Sequence, residues 1–158
     1  MREILFRKLH DYIRENNPEK LFELQVSSKV DAYLETKVEA QKDRLDQLVA
    51  ACAPAYIIEE ICMNDLTAEY KPSRYNYLVR VLEENFSEEY EEWQGCGILT
   101  YEALNLLKAC EGVFESMQFS EENEDDPMIC YAVIGTIKLY LIETFVDSEY
   151  LDKIDFGL

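Results

Sequence analysis

Proton transfer or metal binding in this chain would have to rest on carboxylates, because one histidine, His10, stands against 33 Asp and Glu. His10 lies between the apolar positions Leu9 and Tyr12, with no Ser or Cys nucleophile beside it, and reads as an exposed or hydrogen-bonded structural residue. The carboxylate pairs Glu59-Glu60, Glu83-Glu84, Glu88-Glu89 and Glu91-Glu92 are adjacent in sequence, and adjacent helical residues point apart. The Glu-x-x-His pattern of di-metal helical bundles is absent. Glu121, Glu122, Glu124, Asp125 and Asp126 lack the alternation and glycine of an EF-hand, so they read as a solvated acidic loop. Cys52, Cys62, Cys96, Cys110 and Cys130 are odd in number, scattered and without a C-x-x-C pair. A structural zinc site is therefore not expected, and the thiols read as small core groups in a reducing compartment. Phosphate-loop, dinucleotide and nucleophile-elbow motifs are all missing. The expectation is no cofactor and no metal; catalysis would need carboxylates converging in a pocket.

Two clusters invite a binding role instead. Lys71, Arg74 and Arg80, interleaved with Tyr70, Tyr75 and Tyr77, form the one basic island. Cations beside aromatics could recognise an anion or a partner, or pair internally with Glu69, Glu83 and Glu84, which is the expectation. Leu34, Val38, Gln41, Leu45, Leu48 and Cys52 alternate spacings of four and three, a narrow helical stripe. It packs inside the domain or, with Leu34, Val38, Leu45 and Leu48 as its core, forms a dimer seam; fewer than four clean heptads favour packing.

These residues must be positioned by helices. The chain of 158 residues is 48% hydrophobic and 12% aromatic, enough for a core without staples. Five Gly and four Pro imply few, long elements. Leu5, Leu9, Tyr12 and Ile13 mark a first helix, closed by Asn16-Asn17-Pro18. Ser27 or Ser28 reads as the cap of the next long helix, with residues 28–53 as one helix or two. Further apolar faces follow at Ile57 to Leu66, Leu78 to Phe86 and Leu104 to Met117, with Ser73 and Thr100 as caps. Asp126-Pro127 is a strong start for the last helix, where Gly135 implies close contact with a neighbouring helix. Its most apolar part, Met128 to Ile142, is short of the roughly 20 residues of a membrane span and reads as a buried core helix. The fold class is all-α: a single-domain bundle of about six helices over residues 1–158, with 147–158 a short helix or a frayed acidic tail.

The segment Lys71-Pro72-Ser73-Arg74-Tyr75-Asn76-Tyr77-Leu78-Val79-Arg80-Val81-Leu82-Glu83-Glu84-Asn85-Phe86 resembles the "FSKYDTLVRVLWNEF"-type core of an uncharacterised Bacteroidetes family. Leu9 to Pro18 and Ile134 to Glu143 are similar to that family's start and close. Its members are small, acidic and helical, and many are encoded on conjugative transposons. The resemblance implies a helical domain in a bacterial cytoplasm and supplies no catalytic residue.

The net charge of −18 repels phosphate backbones and anionic lipid, so neither direct nucleic-acid binding nor a membrane role is expected. The first expectation is a non-enzymatic cytoplasmic interaction or accessory protein linked to a mobile element, with a protein partner or a second copy. The alternatives are an acidic nucleic-acid mimic that occupies DNA-binding proteins, and an enzyme with an unrecognised carboxylate site.

Overall fold

The computed structural model describes residues 1–156, with side chains as far as Phe145. The expectation for 147–158 thus falls beyond the described side chains. Among the described residues the chain is helical, with no strand: α1 (Arg2–Asn16), α2 (Pro18–Val26), α3 (Val30–Glu39), α4 (Lys42–Ala50), α5 (Ala55–Thr67) with a 3-10 turn at Ala68–Tyr70, α6 (Arg74–Asn85), α7 (Ser87–Gly95), α8 (Leu99–Ser116) and α9 (Pro127–Phe156). The all-α class stands; among the described residues the helices number nine rather than about six.

Four of the helix ends share one cause. α2, α4, α7 and α8 each end on a left-handed residue: Ser28 (φ 55°), Cys52 (φ 56°), Gly97 (φ 74°) and Gln118 (φ 52°). Each closes the same pair of bonds, as where Lys29 N–H donates to Leu24 O (2.9 Å) and Ser28 N–H to Gln25 O (3.1 Å). This Schellman arrangement satisfies carbonyls at the helix end. Glycine usually supplies it, and here three of the four positions are not glycine. Ser28 therefore ends α2 instead of capping α3, and the Ser27 hydroxyl donates to Glu23 O and Leu24 O. Residues 28–53 form two helices, α3 and α4, parted by a turn at Ala40-Gln41. α8 starts at Leu99, so Thr100 lies inside it rather than capping it. The start of α9 is as expected: Asp126 Oδ1 accepts from Met128 N–H at 2.9 Å.

The contacts divide the chain into two compact units, Met1–Ser73 and the remainder from Arg74. In unit 1, Leu5, Leu9 and Ile13 of α1 pack with Leu34 and Val38 of α3 and with Ile58, Cys62 and Leu66 of α5. In unit 2, Leu106, Cys110 and Phe114 of α8 pack with Leu78, Val81 and Leu82 of α6 and with Ile129, Val133 and Ile137 of α9. Rings of Tyr77, Phe114 and Phe119 meet edge-on with centroids 5.0–5.8 Å apart. Each fully buried large aliphatic or aromatic side chain contributes about 1.5–3 kcal/mol. Where the sequence suggested one interior, the buried side chains form two clusters, one inside each unit.

A left-handed non-glycine residue costs roughly 1–2 kcal/mol, and the Gln118 and Cys52 side chains are exposed. Gln118→Gly and Cys52→Gly are each expected to raise stability by about 1 kcal/mol, seen as a higher urea midpoint at unchanged slope. A lowered midpoint would contradict the capping account.

Candidate functional site

The basic island of the sequence is dispersed by its own helical phase. Lys71 is exposed and belongs to unit 1, while Arg74, Tyr75, Tyr77 and Arg80 belong to α6 in unit 2. Tyr77 shares the inward face with Leu78 and Val81 and is a core residue. Arg74 lies over the Phe114 ring at 5.5 Å, with Nη1 4.0 Å from Glu115 Oε1. Tyr75 and Thr100 share a hydroxyl hydrogen bond of 3.3 Å. Arg80 stacks on the Tyr77 ring at 5.4 Å, at the mouth of a hollow of 250 Å³ that Glu84, Glu124, Asp125, Asp126 and Cys130 also line. Of the acids expected to answer the island, Glu84 lines this hollow with Arg80 without an ion pair between them, and Glu69 pairs with Lys37.

The proposed seam goes to the interior of unit 1. Leu34 and Val38 are buried, and Leu45 and Leu48 pack half-buried against the same cluster from α4. Only Cys52 of that stripe is exposed. Ion pairs Arg2–Glu39, Lys8–Glu59 and Arg44–Asp65 tie helices of unit 1 together at its surface. Arg2 and Glu39, with Glu3 and Glu35, rim an open groove of 790 Å³ over Phe6 and Val38, between α1 and α3.

Among the described residues no three His, Cys, Asp or Glu side chains gather as metal ligands. His10 is half-buried, with Nδ1 3.8 Å from Asp11 Oδ1. The acid loop is held in shape by Asn123, which donates to Met117 O and Gln118 O (3.0 Å each) and accepts from Ser120 N–H (2.7 Å). Burial pushes the Tyr77 phenol up to about 12 and the Cys110 thiol up to about 11. The Tyr70 phenol is raised by burial and by its bond to the Tyr33 hydroxyl. Lys37 is raised by its bond to Glu69. Three of these four are groups folded into packing.

A further uncovered feature lies on α9. One side of this helix, Ile129, Val133 and Ile137, is 0–1% exposed in the unit 2 core. The opposite side presents Met128, Tyr131, Leu139, Ile142 and Phe145 at 59–66% exposure. The expected core helix is thus buried on one side only. Pro127–Phe145 has a mean hydropathy of 1.5 and, by length and composition alone, is long and apolar enough to cross a membrane, yet 17% of it is buried. Gly135, expected to touch a neighbouring helix, instead faces open space: a Cβ there would meet no atom within 4 Å among the described residues. Sequence reasoning missed this face because an all-round apolar run does not say which side is covered. The available signal was the seven-residue recurrence of Met128, Gly135 and Ile142.

No family model matches the chain, and no curated protein or solved structure matches it.

The raised Tyr77 and Cys110 values set a sign for alkaline stability. Folded, both groups hold their protons to higher pH than unfolded, so the native state binds more protons above the ordinary values of 10.0 and 9.0. Their stabilising contribution is complete below those values and is lost as pH rises through about 11 for Cys110 and about 12 for Tyr77. Urea midpoints across this range are expected to fall, and less steeply in Tyr77→Phe. A flat profile would contradict the buried, neutral assignment.

Proposed function

We propose that the chain is a non-enzymatic protein-interaction or accessory protein of a bacterial cytoplasm, linked to a mobile element, and that the outer face of α9 is its contact surface. The observation that carries the reading is the uncovered apolar stripe on a chain of net charge −18. Contiguous exposed apolar surface of several hundred Å² marks an interaction site more often than chance exposure. The resemblance of residues 71–86 supplies the mobile-element setting, and the scattered thiols, with Cys62 and Cys110 buried, favour a reducing compartment. A lipid surface suits α9 less well. Inserting the helix would strip Ile129, Val133 and Ile137 from the unit 2 core, and the helix is preceded by Glu121 to Asp126 rather than by lysines.

The mimic of nucleic acid is a second reading, favoured by the uneven charge. Unit 1 carries ten Lys and Arg against fourteen Asp and Glu; the sequence from Arg74 onward carries five against nineteen, a net −4 and −14. Glu83, Glu84, Glu88, Glu89, Glu91 and Glu92 follow one another through the end of α6 and α7, and none is in an ion pair among the described residues.

The test is capture from a lysate of the source cells with the intact chain and with the doubly substituted Leu139→Glu, Ile142→Glu chain, both shown to be equally helical by circular dichroism. The intact chain is expected to retain protein that the substituted chain does not. Equal retention by both would remove α9 as the contact. A salt-labile DNA-binding protein retained by both would promote the mimic.

A further inference from the structure

We infer that the outer face of α9 binds the same face of a second copy of this chain, antiparallel, with the two helices crossing at Gly135. The inference rests on the reading of α9 as a contact surface and names the partner. Three observations carry it.

The first is symmetry in the sequence of the face. Four of the five exposed large apolar residues lie at Gly135 −7 (Met128), −4 (Tyr131), +4 (Leu139) and +7 (Ile142), with Phe145 beyond them at +10. At 3.6 residues per turn, these and Gly135 fall within about an 80° sector of the helix. A two-fold axis through Gly135 therefore places Met128 of one copy on Ile142 of the other and Tyr131 on Leu139, each contact made twice. That reciprocity is what a two-fold interface demands, and an unrelated partner would not require it.

The second is the glycine itself. Gly in a helix interior costs about 1 kcal/mol against Ala. No described atom lies within 4 Å of where its Cβ would stand, so nothing inside the chain uses the missing side chain. At the centre of the face it lets a second backbone approach closely.

The third is area. Five side chains at 59–66% exposure, Phe145 included, offer on the order of 600 Å² per copy, near the roughly 800 Å² each partner contributes to a standard interface. Lys138 is the single charged residue from Pro127 to Ile142, so the patch desolvates little charge. The surrounding net −14 opposes association of two copies. Self-pairing must therefore strengthen as salt rises, whereas a basic partner would be lost.

Sedimentation and light scattering on the full chain read this directly. At micromolar concentration the intact chain is expected at twice its 18.5 kDa mass, with the dimer favoured by added salt. Tyr131→Lys and Leu139→Glu should each weaken the dimer about tenfold or more. Combined in one chain they should restore most of it, because position 131 of one copy faces 139 of the other. Within one helix the two lie about 12 Å apart and do not pair. Gly135→Leu should abolish the dimer while raising the thermal midpoint of the monomer, an outcome that a purely internal role for the glycine does not produce. A chain that stays monomeric at all salt concentrations, or a double variant no better than the singles, overturns the inference. So does flotation with phosphatidylcholine vesicles that Leu139→Glu prevents. A monomeric chain whose α9 face still retains a different protein in the capture experiment would sink self-pairing and leave the proposed function standing.

Discussion

Much of what is distinctive about this molecule follows from one constraint: from Met128 to Ile142 α9 is apolar on two opposite sides, and the described residues cover only one of them. Ile129, Val133 and Ile137 complete the unit 2 core and cannot be withdrawn without opening it. Met128, Tyr131, Leu139 and Ile142 then face outward because α6 and α8 already occupy the inner side. At about 25 cal/mol per Å², several hundred Å² of such surface is a driving force of many kcal/mol for whatever covers it, before the costs of association are subtracted.

The charge distribution sets the terms on which that surface can be covered. Unit 1 pairs several of its cations across helices, as in Arg2–Glu39, Lys8–Glu59 and Lys37–Glu69. Exposed pairs of this kind contribute little stability each. In unit 2, Arg74 meets Glu115 and Arg80 stands among acids. The acidic surface opposes indiscriminate association. The nearly charge-free α9 face is then a place where the cost of contact is low.

Much of the fold was legible. The apolar stripes of α1, α5, α6 and α8, the Asn17-Pro18 junction and the Asp126 cap of α9 are local signals that packing reinforced. The helix count was not legible, because α3 and α4 part at a turn at Ala40-Gln41 and α6 and α7 part at Phe86, and neither break carries a Gly or a Pro to mark it. The site was less legible still. Lys71, Arg74 and Arg80 are neighbours in sequence, but helical phase turns Tyr77 inward and sends Arg74 to Phe114 and Arg80 to the Glu84 hollow. The stripe from Leu34 to Leu48 had the spacing of a seam and serves the interior of unit 1. For α9 the composition suggested burial, and only the arrangement of its neighbours reveals which side remains open.

The most direct measurement is an isotope-filtered nuclear Overhauser experiment on an equal mixture of labelled and unlabelled chains. The account predicts cross-peaks between the Tyr131 ring of one chain and the Leu139 methyls of the other, together with Met128 to Ile142 contacts. Intermolecular signals that are absent, or that arise from residues away from α9, would contradict it.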